Sequence, residues 1–365
     1  MIIDRYLIRE IIKPLVVICT VLVIIFASYS AARYLADAVS GLLSGTTVIS
    51  LVLLKVVIAL EVLLPTTLYL SVVIALGRLY TDSEMTALQA SGVSVTRVLK
   101  AVFRLSLLVA AIVASLSLYA RPWAYQASYR LKAQARAELD ISRWEADKFY
   151  EIARGDRIIY ADEIDHQRNR ADGVFIQRER GDRVQVIYAK EAYQAVDEKS
   201  GKDIMVILDG YLYEFPRHGD RGYIMKFEQS ALPLRPEEIE PIGYKRKAAA
   251  TMDLARSDKP KDIAELQWRL STPLSTMLLA LLGVPLSRAS PRQGKYAKVV
   301  AAVLVYAIYY NIGAMAKTWV EQEVVGSIPG IWWVQALLAG LLLALLLQPS
   351  LVFRSRRTWR RFSAK

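Results

Sequence analysis

Long apolar runs constrain this chain more than any other feature of its sequence. A helix needs about 20 apolar residues to cross a hydrocarbon core of ~30 Å. The fourth run is shorter, but Leu270–Thr272 can extend it. The runs are Leu15–Ala36, Leu53–Gly77, Val98–Ala120, Pro273–Leu286, Val299–Ala316 and Ile331–Leu347. We therefore predict an α-helical polytopic membrane protein with six transmembrane helices, in a chain that is 54% hydrophobic.

The distribution of basic residues predicts the orientation of these helices. The net charge is +12, and Lys and Arg cluster before the first run, in two of the connections and in the C-terminal tail. The connections on the other side offer Arg33 and Lys317, with acidic residues beside them. Because Lys and Arg collect in cytoplasmic loops, both termini and residues 78–94 are predicted to be cytoplasmic. A membrane surface accounts for the positive charge, which does not indicate nucleic-acid binding.

About 150 residues between the third and fourth runs have a different, β-rich composition. Ala124–Glu145 is predicted to extend the third helix, and period-two alternation then follows in Asp156–Ala161 and Asp182–Ala189. Asp197–Asp203 predicts a hairpin connection and Asp209-Gly210 a turn. This pattern favours an all-β domain, a sandwich or jelly roll, inserted between helices 3 and 4, and the charge bias places it on the outer side of the membrane.

Three domains follow from this division of the chain. Residues 1–123 hold transmembrane helices 1–3 with a short polar helix at residues 80–92. Residues 124–262 form the β-rich domain with its helical connector. Residues 263–365 hold transmembrane helices 4–6 and the basic tail.

No catalytic or metal-binding pattern is recognisable in the sequence. Both histidines, His166 and His218, lie in turn-like surroundings, and the single cysteine, Cys19, lies inside the first apolar run. A Walker A loop is missing, since Gly201-Lys202 and Gly294-Lys295 lack the earlier glycine and the following Ser or Thr. We predict that the chain is not an enzyme and has no cofactor of its own. If it does work, a partner or an ion gradient supplies the energy.

Two ionisable residues, Lys55 and Glu61, come near the centre of the second run. Charged side chains in a membrane usually face a cavity or a partner group. Lys55 can reach the outer surface with its long side chain. Glu61 is predicted to face either a neighbouring helix or an aqueous cavity, and the sequence leaves both open.

A short polar stretch joins the second and third runs. Thr81 with Glu84 three residues later predicts a capping box, and Gly92 is a natural left-handed helix stop. A helix of about ten residues is marginal in isolation. Held between two membrane spans, it is predicted to be presented to something outside the bilayer.

Seven short motifs stand out along the chain: Met1–Glu10, Leu64-Pro65, Gly77–Glu84, Gln89–Gly92, Glu265–Leu270, Val284–Leu286 and Pro291–Gly294. With these motifs the sequence resembles the lipopolysaccharide export permease family, the paired subunits LptF and LptG. The resemblance covers all six runs and is weakest across the β-rich insert. The opening and the length are more similar to LptF than to LptG.

The resemblance implies a multi-pass protein of the bacterial inner membrane that is one permease of an ATP-driven lipopolysaccharide exporter. Such a permease pairs with a second one, here an LptG-like chain, above two copies of an LptB-like cytoplasmic ATPase. That ATPase binds ATP and Mg. Lipopolysaccharide leaves the inner membrane and passes through the periplasmic jelly roll to an LptC-like bridge protein with a single membrane anchor.

The resemblance also implies roles for individual residues. Residues 80–92 become the coupling helix that contacts the ATPase, through Tyr80, Glu84, Met85 and Leu88. A carboxylate on a short exposed helix can pair with an arginine, although Glu84 can instead close its own helix through the capping box.

Lipopolysaccharide phosphates need cations at the outer interface. Arg33 and Lys317 stand at the outer ends of the first and fifth runs and are predicted to supply these cations. The alternative for each is an interfacial residue whose long side chain reaches the membrane surface without binding lipopolysaccharide.

Three other kinds of function are alternatives to a transport subunit. A lipoprotein-release or efflux-type ABC permease usually has four spans and a large outer domain after the first, which this topology contradicts. A structural anchor or assembly factor without a transport cycle is a second alternative, which fails if residues 78–94 bind an ATPase. An intramembrane enzyme would need a catalytic set, and the sequence has none.

Overall fold

In the computed structural model, the described residues are 2–39, 43–137, 147, 149–152, 157–165, 169–180, 183–196, 203–216, 222–233, 244–288 and 297–362. His166, His218, the connection at residues 197–202 and the end of the predicted helical extension at residues 138–145 lie outside them.

Nine α-helices occur within these described ranges. A π-helical turn, Leu116–Ala120, joins α4 and α5 into one continuous helix. The helices are α1 Ile2–Val39, α2 Gly45–Thr81, α3 Glu84–Ala90, α4 Val95–Ser115, α5 Arg121–Ala137, α6 Thr251–Ala255, α7 Pro260–Leu286, α8 Ala297–Glu321 and α9 Trp332–Phe362.

Five helices of the described chain are long and apolar enough to cross a membrane. They are Ile2–Val39, Gly45–Thr81, Val95–Ala135, Pro260–Leu286 and Val299–Glu321. The third confirms that α5 extends the third span, as far as Ala137. The apolar part of α9, Trp332–Leu347, is shorter than the other five. Five of the six predicted spans are thus confirmed by length and composition, and the sixth stays a prediction.

The chain divides into two compact units, which we call the helical unit and the sheet unit. The helical unit comprises Met1–Ser30, Val52–Ala127 and Tyr244–Lys365. The sheet unit comprises Ala31–Leu51 and Ser128–Gly243.

Helix α7 occupies the centre of the helical unit, where it contacts α4, α6, α8 and α9. One apolar cluster joins it to α1, α2, α3 and α4, and a second joins it to α2, α8 and α9. Gly283 makes close packing against α2 possible. A Cβ atom there would lie 2.9 Å from Cγ1 of Val72, which is shorter than a normal carbon–carbon contact.

Seven strands form one antiparallel sheet in the described part of the sheet unit, in the order β1-β2-β4-β5-β6-β7, with β3 also paired to β4. The core contains Ile159, Ile176, Ile187, Met205 and Ile207. This strand order confirms the antiparallel β-rich insert, while its jelly-roll form stays a prediction. The strands are β1 Tyr150–Ile152, β2 Arg157–Tyr160, β3 Glu163–Asp165, β4 Arg170–Arg180, β5 Arg183–Val196, β6 Asp203–Pro216 and β7 Tyr223–Pro233.

The turn predicted at Asp209-Gly210 is wrong, because β6 continues through both residues. Asp209 instead adopts a φ of 48°, and Gly173 on β4 a φ of 62°. Three residues on neighbouring strands are left out of the strand pairing: Gly173 of β4, Lys190 of β5 and Asp209 of β6. Beyond these residues the side-chain alternation changes phase, so that Ile207 and Leu212 contact the same core.

Candidate functional site

The short helix α3 lies between α2 and α4 and has a well-defined end. The Val93 amide donates to the Leu88 carbonyl at 3.0 Å, and the Gly92 amide donates to that of Gln89 at 3.0 Å. These are the two bonds of a Schellman motif. Gly92 has a φ of 89°, which confirms the predicted left-handed stop.

The predicted start of this helix is wrong. Helix α2 continues through Thr81, whose hydroxyl donates to the Gly77 carbonyl at 3.0 Å and so stabilises the end of α2. Ser83, with a φ of 62°, precedes α3 and makes no side-chain capping bond. The capping box between Thr81 and Glu84 does not form, and α3 is seven residues long, Glu84–Ala90.

Glu84 interacts with the first helix instead of its own. The Tyr6 hydroxyl donates to Oε2 of Glu84 at 2.5 Å, across 78 residues of sequence. No sequence pattern relates Tyr6 to Glu84, because the contact depends on how α1 packs beside α3. The carboxylate therefore has a neutral hydrogen-bond donor and no cation beside it in the described part of the chain.

Ion pairs fix the first turns of α1 beside the same region. Asp4 binds Arg97 and Arg104 of α4 at 3.0 and 3.2 Å. Glu10 binds Arg78 of α2 at 2.5 Å, and it also binds Lys13 at 2.6 Å. Each exposed pair contributes little by itself, but together the pairs fix the register of α1 against α2 and α4.

The other predicted partner-contact residues differ in their exposure. Tyr80 and Leu88 are half-buried and pack against the core of the helical unit. Met85 is 1% exposed and belongs to that core. Its side chain therefore anchors α3 to its own chain, in contrast to the predicted surface contact. The exposed face of α3 is formed by Thr86, Ala87, Gln89 and Ala90.

A buried ion network is the second polar feature of the helical unit. Arg121 of α5 binds Glu61 of α2 at 3.0 Å and Glu265 of α7 at 3.1 Å. Glu265 also binds Lys317 of α8 at 2.5 Å and Arg269 at 3.4 Å. Charges out of water are tolerated only when they are paired. This network therefore connects four helices, namely α2, α5, α7 and α8.

Arg269 is fully buried and uses its guanidinium to bind the backbone that precedes α7. It donates to the carbonyls of Ala249, Arg246 and Lys247 at 3.0, 3.2 and 3.3 Å, and to the Thr251 hydroxyl at 3.0 Å. Buried carbonyls need such donors. A single side chain thus holds the segment 246–251 against the helical unit.

The π-helical turn brings a further donor into the network. Ser117 lies in this turn and donates to Oε1 of Glu61 at 2.7 Å, and it also lies 3.2 Å from the Arg269 carbonyl. π-helical turns in α-helices are frequent at functional sites. Here the turn aims a hydroxyl at a buried carboxylate.

A partly open pocket lies beside the network, between α2, α7, α8 and α9. Glu61 forms part of its wall, together with Trp268, Tyr306 and Tyr310. Glu61 therefore binds neighbouring helices, as one alternative predicted, and it also borders this pocket. At another wall Ser275, Tyr309 and Gln335 bond to one another at 2.5–3.3 Å.

The two predicted phosphate-binding residues have different surroundings. Arg33 lies in α1 and is exposed. Lys317 is 17% exposed, pairs with Glu265, and lies 5.2 Å from the ring centre of Trp268. Among the described residues no group of three or more His, Cys, Asp or Glu side chains is arranged to hold a metal ion.

A chain with five membrane-length helices and a folded antiparallel sheet inserted among them is a polytopic integral membrane protein. The family follows from comparison with known proteins. The model of the family "Lipopolysaccharide export system permease LptF/LptG" matches residues 5–348, and the chain belongs to this family.

Individual relatives agree with the family match. The chain is 26% identical over 325 residues to the lipopolysaccharide export system permease protein LptF of Escherichia coli K12, which covers 87% of both chains. The protein of the same name from Shigella flexneri gives the same values. The recognised family is confirmed, and the chain is a permease subunit, as predicted.

Proposed function

We propose that this chain is the LptF-like permease of an ATP-driven exporter, which extracts lipopolysaccharide from the inner membrane and passes it to a periplasmic bridge. The family match over residues 5–348 carries this proposal. The partners are an LptG-like permease, two copies of an LptB-like ATPase that bind ATP and Mg, and an LptC-like bridge protein. This chain then contributes no catalytic residue.

The proposed arrangement in the membrane has six spans, with the apolar part of α9 as the last. Both termini and α3 then face the cytoplasm, and the sheet unit is a jelly-roll-like domain in the periplasm. The asymmetric distribution of Lys and Arg supports this orientation.

In this proposal α3 is the element that contacts the ATPase. Its support is the half-buried Glu84, which no cation of the described chain neutralises. Tyr80 and Leu88 are partly buried beside it, and the buried Met85 side chain packs α3 against the core of the helical unit. A carboxylate with an unused oxygen can bind a partner's cation through a strong charge-assisted hydrogen bond.

Lipopolysaccharide phosphates are proposed to bind Arg33 and Lys317. Arg33 is exposed and needs no rearrangement. Lys317 is bound to Glu265, so a phosphate there would replace a carboxylate as its counter-ion.

The contact at Glu84 is tested by retention of the ATPase on the purified permease pair. We expect Glu84→Ala to lower the affinity about tenfold, which corresponds to loss of one ionic contact. Asp82→Ala is the matched control, since Asp82 is an exposed carboxylate two residues earlier. Unchanged retention and unchanged coupling of ATP hydrolysis in Glu84→Ala would contradict the proposal.

A further inference from the structure

Glu84 is held by a contact that its own helix does not provide. Helix α3 has seven residues and no side-chain cap at its first turn. A glutamate side chain loses rotamer entropy when it is fixed. The Tyr6 hydroxyl, 2.5 Å from Oε2, fixes it before any partner arrives.

Tyr6 stands on a well-supported part of α1. Leu7 and Ile11 are fully buried in the core of the helical unit. On either side of Tyr6, Asp4 and Glu10 form ion pairs with α4 and α2. The phenol is therefore carried by a segment whose position is determined on both flanks, while its ring is 36% exposed.

The chemistry of the pair suits presentation of a charge. A phenol donates one hydrogen bond and leaves the carboxylate negative, whereas an arginine would neutralise it. The nearby Arg78, Arg97 and Arg104 are all bound to Asp4 or Glu10. In the described part of the chain Tyr6 is the hydrogen-bond partner of Glu84. The second oxygen of Glu84 is left for a cation from outside.

We infer that Tyr6 is a positioning residue, whose hydroxyl holds the Glu84 carboxylate in the orientation that binds a cationic group of the partner ATPase. This inference rests on the proposed contact between Glu84 and the ATPase. It extends that contact from α3 alone to a surface formed by α1 and α3 together. Tyr6 acts on ATPase binding only by positioning Glu84, so removing its hydroxyl should matter only while the Glu84 carboxylate is present.

The test is a double-mutant cycle on the purified complex of both permeases and the ATPase. The variants are Tyr6→Phe, Glu84→Gln and the two combined, and ATPase affinity and coupling are measured for each. We expect Tyr6→Phe to weaken binding about threefold to tenfold, the range expected for lost preorganisation of one side chain. In the Glu84→Gln background it should have no further effect. Tyr29→Phe, an exposed tyrosine on the same helix, is the control.

Each outcome of the cycle has one meaning. Loss of binding that appears with Tyr6→Phe in both backgrounds would show a general structural role and overturn the inference. Normal binding by Tyr6→Phe, with weak binding by Glu84→Gln, would overturn the inference and leave the Glu84 contact intact. Normal binding by Glu84→Gln would overturn the contact and the inference together.

A second variant keeps the shape of the side chain. A polyfluorinated tyrosine at position 6, acidic enough to ionise near neutral pH even beside the Glu84 carboxylate, loses its donor proton as the pH rises. We expect ATPase affinity to fall with rising pH for this variant and not for the wild-type complex. Identical pH profiles of the two complexes would contradict the positioning role.

Discussion

Glu265 has more charged partners than any other described residue of the buried network. Its two oxygens bind Arg121, Arg269 and Lys317 at 3.1, 3.4 and 2.5 Å, and its side chain is fully buried. Removing one member of a buried pair leaves the other charge uncompensated, which costs more than the pair itself contributes. The network has two carboxylates and three cations, so its members are not equivalent.

Because the cations outnumber the carboxylates, removing Glu265 and removing Lys317 from their shared ion pair should change the stability of the protein by different amounts. Glu265→Gln leaves one carboxylate with three cations and should lower the unfolding free energy by about 3–5 kcal/mol. Lys317→Met leaves two carboxylates with two cations, removes a side chain that is 17% exposed, and should cost less. Thermal unfolding of the purified chain in detergent measures both.

Lys261→Met is the control, since Lys261 is an exposed lysine of the same helix as Glu265. A loss from Lys317→Met that equals or exceeds the loss from Glu265→Gln would refute the charge argument.

At the level of elements, hydropathy predicted the first three long helices well, because their apolar runs are as long as a membrane requires. It predicted the start of α7 poorly. The run begins at Pro273, whereas the helix begins at Pro260. Glu265 and Arg269 break the apolar pattern, and their i,i+4 spacing was the available signal for an ion pair.

The short helix and the sheet show what local patterns miss. The capping-box pattern of Thr81 and Glu84 was correct as a pattern, but α2 continued and Tyr6 took the carboxylate. Asp209-Gly210 is a common turn sequence, yet pairing on both sides of β6 continues the strand past these two residues, with Asp209 alone in a left-handed conformation. In each case a contact distant in sequence overrode a local preference.

Close packing of α2 against α7 gives a prediction about one glycine. Gly283→Ala places a Cβ 2.9 Å from Cγ1 of Val72 and 3.4 Å from the Tyr69 carbonyl. Since valine cannot move its γ-carbons freely, we expect a loss of about 1–3 kcal/mol of stability. Thermal unfolding in detergent measures this loss.

Gly340→Ala in α9 is the matched control, because nothing lies within 4 Å of its Cβ position. Alanine favours a helix over glycine by about 1 kcal/mol, so this variant should be neutral or stabilised. Equal destabilisation of both variants would show that the α2–α7 contact is not the cause.

For the whole molecule, the sequence predicted an apolar helical part and a β-rich insert. Five helices of the described chain have the length and composition required for crossing a membrane. The sheet unit contains the seven described strands, but it also takes in Ala31–Leu51 at the ends of α1 and α2, so composition alone did not predict where the two units divide. Orientation and the sixth span depend on surroundings that a single chain does not contain.

Cysteine labelling tests this arrangement in intact cells. In a Cys19→Ser background, Lys226→Cys should react with a membrane-impermeant maleimide added from outside, since Lys226 is exposed on β7. Ser91→Cys and Ser363→Cys should react only after the inner membrane is opened. The Cys19→Ser parent gives the background, and outside labelling of Ser363→Cys would mean that the chain has an odd number of spans.

The buried pair Glu265 and Arg269 also bears on how the protein enters the membrane. Helix α7 is the least apolar of the five membrane-length helices, and one carrying such charges does not partition into lipid by itself. Glu265 binds Arg121 of α5, and Arg121 in turn binds Glu61 of α2; both of these helices are synthesised earlier. We therefore expect integration of α7 to require that the preceding helices already lie beside the insertion machinery. Lys317, made last, adds the third cation to the network.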